Sequence, residues 1–123
     1  MAENNRSRKE ETDLSSGGML PPQAVEIEEA VLGGMLIEHE AATMALELLR
    51  VEDFYRKSHR HIFEVMMDLF EKSNPLDIIT VENELRDKKL LDECGGPGYL
   101  SELTRSVSSA ANIEYHAQIL TEK

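Results

Sequence analysis

The run PPQAVEIEEAVLGGMLIE, from Pro21 to Glu38, constrains the fold more than any other part of the chain. Two prolines preset the backbone at a helix start, where a missing amide donor does no harm. Ile27, Ala30, Val31, Gly34 and Met35 then recur at helical spacing, which predicts an amphipathic helix with a buried stripe. Inside that helix Gly33 and Gly34 each cost about 1 kcal/mol relative to alanine. Close backbone packing against a neighbouring element is the gain expected of the two.

Shorter pieces repeat the pattern. After His39 and Glu40, the residues Ala41, Met44, Ala45, Leu48 and Leu49 predict a second helix. The segment RVEDFYRKS interrupts, Ser58 reads as an N-cap, and Ile62, Val65, Met66, Leu69 and Phe70 form the strongest stripe of the chain. That stripe places the third helix at the centre of the core. Asn74-Pro75 ends it, because the residue before proline is pushed out of the helical region, and Asp77 to Thr80 reads as extended before Val81 and Leu85 begin a polar surface helix. Gly95-Gly96-Pro97-Gly98 is a stop signal, with Pro97 placed to start a helix carrying Tyr99, Leu100 and Leu103. Beyond a serine-rich joint at Ser106 to Ser109, Ile113, His116, Ala117 and Leu120 line one side of a last helix. No glycine or proline stops that helix before Lys123, so the parent chain is expected to continue. With no repeat, no β alternation and no sustained heptad, the expected fold class is all-α, a globular bundle of about six short helices. Residues 1–19 are polar, of mixed charge, and read as a disordered tail, which leaves 20–123 as the single folded domain.

Composition narrows the function. A chain of 123 residues that is 41% hydrophobic can build one modest core. Its longest apolar stretch, Ala30 to Ile37, is eight residues against the roughly 20 that a membrane-spanning helix needs. No secretory block precedes it, and Cys94 is the lone cysteine, so a reducing cytoplasm is the expected location. There are 24 acidic and 13 basic residues, a net charge of −11, and the first nineteen residues account for only −1 of it. Phosphate backbones are bound by Lys and Arg displacing counterions, so an acidic domain of this kind is a poor unaided DNA binder.

The search for chemistry finds no catalytic set. The sequence has no G-x-x-x-x-G-K-[ST] loop, and the glycines at 95, 96 and 98 read as a connection between helices. His59 and His61, two apart, point to different sides of a helix and make no metal pair. His116 has no visible partner, and Cys94 reads as a structural thiol. Glu26, Glu28 and Glu29 read as first-turn carboxylates favoured by the helix dipole, which leaves an enzyme built on them without support. Arg50, Arg56, Lys57 and Arg60, with His59 and His61 among them and Phe54 and Tyr55 adjoining, form the one basic cluster. It is either a contact for single-stranded nucleic acid or a hydrophilic helix start with its aromatics buried.

Taken in order, PPQAVEIEEAVLGGML, VEDFYRKSHRHIF, PLDIITVENEL, GGPGYLSEL and SAANIEYHAQIL resemble the N-terminal domain of the bacterial replicative helicase family, the DnaB type. The resemblance covers nearly everything after the tail. It implies a non-catalytic helical domain joined in the full protein to an ATPase motor, which would hold ATP and Mg and make the main DNA contacts. It further implies assembly with other copies as a trimer-of-dimers collar on a hexameric ring, docking of the primase C-terminal domain, and a helicase loader as a further partner. Most of the family's dimerising hairpin would lie beyond Lys123. By motif, the primase-contact positions fall on Glu26 and Tyr99, with Asp77 as a weaker candidate. A tyrosine suits such a role through its large apolar ring and polar tip, and the same features suit a half-buried core position.

Overall fold

The computed structural model describes residues 22–105, Val107 and 113–122. Among them are six α-helices and no strand: α1 (Pro22–Ile37), α2 (His39–Leu48), α3 (Lys57–Glu71), α4 (Ile78–Asp87), α5 (Tyr99–Arg105) and α6 (Ile113–Thr121), with a 3-10 turn at Val51–Asp53. The expected all-α bundle is what forms. The expected tail at 1–19 and most of the serine-rich joint lie outside the described residues.

The centre of the bundle is α1, not α3. It packs against α2, α3, α5 and α6, whereas α3 packs chiefly on α1, α4 and the 3-10 turn. Val31, Leu32, Gly33, Gly34, Met35 and Leu36 are consecutive and all buried, so α1 is enclosed around most of its circumference. A helix surrounded in this way needs apolar residues beyond a single stripe, and this one has them. The stripe of α3 is more clearly one-sided because that helix lies nearer the surface: Ile62, Val65, Met66 and Leu69 are buried, while Phe70 at its edge is 37% exposed.

Gly33 explains how α5 comes so close to α1. A Cβ there would run into the Leu103 carbonyl oxygen of α5 and stand 2.7 Å from Val107 Cγ2. The neighbouring Gly34 is also buried, and its carbonyl accepts the Glu38 amide at 2.9 Å as the chain turns into α2. Glu38 itself is extended (φ −127°, ψ 132°), which redirects the backbone in a single residue.

Two helix starts differ from the sequence reading. Helix α3 begins at Lys57 with Arg56 as its cap, where the Arg56 carbonyl accepts the Arg60 amide at 3.0 Å, so Ser58 falls inside the first turn. Asp77 to Thr80 is not extended: Asp77 is the N-cap and α4 starts at Ile78. Asp77 Oδ1 accepts the Thr80 amide at 2.8 Å, and Thr80 Oγ1 accepts the Asp77 amide at 3.0 Å. This reciprocal box satisfies two backbone donors that a β-branched sequence otherwise hides.

Candidate functional site

Two fully buried side chains in the described core are charged or polar, Glu28 and His59, both 0% exposed. Glu28 lies on α1 in register with Val31, Leu32 and Met35; His59 lies on α3 in register with Ile62, Phe63 and Met66. The packing of α1 on α3 brings the two together, with His59 Nδ1 2.7 Å from Glu28 Oε1. Glu28 Oε2 accepts the backbone amide of Tyr55 at 2.6 Å. On the far side of the imidazole, His59 Nε2 is 2.6 Å from the Tyr99 hydroxyl at the start of α5. The two rings are within 15° of coplanar at a centroid separation of 6.0 Å.

The Arg56 guanidinium lies near enough to Tyr99 to favour its ionised form. Glu28, an acceptor for the Tyr55 amide, accepts from His59 Nδ1–H in the tautomer that leaves Nε2 to accept the Tyr99 hydroxyl proton. Every donor in the chain then meets an acceptor, which is the condition under which buried polar groups are tolerated. The Tyr99 phenol is pushed up to about 12, by burial first and then by the negative charge of Glu29, with Arg56 pulling the other way. At neutral pH Tyr99 is therefore a hydroxyl donor.

The Tyr99 ring is half-buried, and a second feature fixes it. Gly95 has φ +104°, and a Cβ there would stand 2.7 Å from Tyr99 Cβ and Cγ. The glycine turn thus lies directly against the ring, and its backbone also receives the Tyr99 amide at the Gly96 carbonyl, 3.2 Å. The stop signal in the sequence is in effect a seat for the tyrosine.

The remaining expected residues fall as follows. Glu26 is exposed on α1, one turn before Glu29, whose charge reaches Tyr99. Asp77 is exposed at the start of α4 and is already engaged as a cap. The helix begins at Pro22, so Glu26, Glu28 and Glu29 lie past its first turn, and the dipole reading of these three gives way to the buried pair and its surroundings. In the basic cluster, Arg60 Nε donates to the Phe54 carbonyl at 2.7 Å and the Arg56 charge acts on Tyr99. Exposed Arg50 lies 3.7 Å from Glu52, and Lys57 is exposed. Phe54 is 0% exposed and packed 4.9 Å from Phe63, so its face is closed to a base. Cys94 is buried, with Sγ 3.6 Å from the Ser58 carbonyl, and its thiol is pushed up to about 11 by burial and the Glu93 charge.

Sequence reasoning missed the Glu28–His59 pair, although a signal existed. Each residue occupies a core register of its own helix, and two such polar residues in a small core satisfy each other most simply by pairing.

The described residues define a small all-α domain with a buried glutamate–histidine pair bonded to a half-buried tyrosine. More particularly, the chain belongs to the DnaB-like helicase N-terminal domain family, whose model matches residues 20–122. It is 54% identical over 106 residues to the replicative DNA helicase DnaB of Rhodothermus marinus, covering 86% of this chain and 11% of the relative. To the replicative DNA helicase DnaC of Bacillus subtilis it is 47% identical over 112 residues, covering 91% and 24%. The chain thus spans a quarter or less of these curated relatives. In structure it resembles the N-terminal domain of DnaB helicase from Mycobacterium tuberculosis, with a TM-score of 0.79 and 42% identity over 84% of this chain and 74% of that one. It also resembles a DnaB-like replicative helicase whose structure was described with its interactions with primase, with a TM-score of 0.70 and 34% identity over 79% and 23%.

Proposed function

We propose that this chain is the primase-docking and collar domain of a hexameric replicative helicase, coupling RNA priming to strand separation. The observation that carries the reading is Tyr99: a half-buried aromatic whose polar tip is already satisfied inside the domain, so its ring is offered at no cost in unpaired polar groups. Exposed Glu26 lies on α1, one turn before Glu29, whose charge reaches Tyr99. Family membership and the 34% identical helicase described with its primase interactions support the choice of partner.

ATP hydrolysis, with its Mg, belongs in this reading to a motor domain outside these 123 residues, as do the main DNA contacts. Other copies of the domain complete the collar, and a helicase loader is a further partner in the bacterial cytoplasm. Docking couples priming to unwinding only if primase binds one collar arrangement better than another, since a ligand with equal affinity for both shifts neither.

The test is calorimetry with the primase C-terminal domain. Tyr99→Ala should weaken binding by about thirtyfold, the loss typical of an aromatic hot spot, while circular dichroism stays unchanged. Unaltered affinity would overturn the reading.

A further inference from the structure

Glu28 and His59 touch no solvent, so they dock nothing themselves. Burying such a pair is a weak route to stability, because apolar residues of similar volume fill a core at least as well. What the pair does that an apolar pair cannot is make one bond outward, to the Tyr99 hydroxyl. Glu28 also holds the Tyr55 amide, so α1, the segment leading into α3, and α5 are all tied to one phenol. From the other side the Gly95 turn walls in the Tyr99 Cβ and Cγ. If the ring swung away, His59 Nε2 would be left buried without a partner.

We propose that His59, backed by Glu28, is a positioning residue that holds Tyr99 in a single rotamer and so pre-organises the primase-docking surface. This rests on the docking reading given above. A pre-organised anchor loses less side-chain freedom on binding, and a loss of that advantage reads as roughly threefold to tenfold in affinity.

The experiment measures binding of the whole chain to the primase C-terminal domain for Tyr99→Phe, His59→Asn, His59→Gln, the Tyr99→Phe/His59→Asn double variant and Tyr99→Ala. Asparagine can still donate to Glu28 but falls short of the hydroxyl; glutamine extends a carbonyl towards the place of Nε2. Tyr99→Phe and His59→Asn should each weaken binding threefold to tenfold, the double variant should be no weaker than either single one, and His59→Gln should regain part of the loss. In His59→Asn the ring carbon resonances of Tyr99 should broaden while the other amide resonances stay in place. Tyr99→Phe binding as tightly as the parent overturns the positioning role, and it decides the matter alone if the His59 variants do not fold. Additive losses in the double variant overturn it as well. If Tyr99→Ala is without effect, the docking reading falls and takes this one with it, whereas weakening by Tyr99→Ala alone leaves docking standing and removes only the positioning.

Discussion

Replacing Gly33 by alanine pits local propensity against packing with known numbers on both sides. On helix propensity alone, Gly33→Ala should stabilise α1 by about 1 kcal/mol. The new Cβ, however, would overlap the Leu103 carbonyl oxygen and lie 2.8 Å from the Leu103 carbonyl carbon. Both obstacles are backbone, so no rotamer change relieves them and α5 must move away from α1. Overpacking of this kind costs about 1–3 kcal/mol, and a rigid obstacle puts the cost at the upper end. The net is about 2 kcal/mol of destabilisation, which for a domain of this size lowers Tm by roughly 8–16 °C. A thermal melt followed by circular dichroism reads it directly. Gly98→Ala is the control, since nothing lies within 4 Å of a Cβ there, and it should cost no more than about 1 kcal/mol. A melting temperature for Gly33→Ala at or above that of the parent would refute the packing argument.

Glu28→Ala strands the Tyr55 amide and His59 Nδ1 together and should cost roughly 2–5 kcal/mol in urea denaturation, while exposed Glu26→Ala stays within about 0.5 kcal/mol. Because the folded Cys94 thiol titrates near 11 against an ordinary 9.0, the unfolded chain releases that proton first, and stability should fall as pH rises from about 9 to 11. Cys94→Ala should flatten that part of the decline in a pH series of denaturation curves. Asp77→Ala should lower stability by about 1 kcal/mol through loss of the α4 cap, and Asp77→Asn, which keeps an acceptor, should lower it far less in the same melts.

Much of the fold was legible because it rests on periodicity. The stripes at Ile62–Leu69, at Ala41 and Ala45, and at Ala117 and Leu120 are the buried faces of α3, α2 and α6, as their spacing implies. Rank within the bundle was not legible. The stripe of α3 is the more regular, yet α1 is the centre, because centrality is set by how many neighbours a helix has, and a helix enclosed on several sides loses its clean stripe. The start of α4 was misread because Ile78, Ile79 and Thr80 are β-branched, and the capping box at Asp77 and Thr80 overrides that preference.

Of the Glu28–His59–Tyr99 cluster, Tyr99 was reachable through motif resemblance, and the glycines before it read as a turn without revealing that the turn holds the ring. Glu28 was hidden in a run of three glutamates, two of which are not fully buried, and nothing in composition separates the buried one. Its register with Val31 and Leu32 does. The aromatics beside the basic cluster pulled towards nucleic acid, but Phe54 is core and Arg60 is engaged with the Phe54 carbonyl.

The central claim is that this surface binds polypeptide, and light-scattering chromatography of the chain with and without the primase C-terminal domain tests it most directly. A co-eluting complex whose mass is the sum of integral copies of both, persisting at raised salt, is the predicted result. Separate elution of the two at concentrations well above micromolar would contradict it.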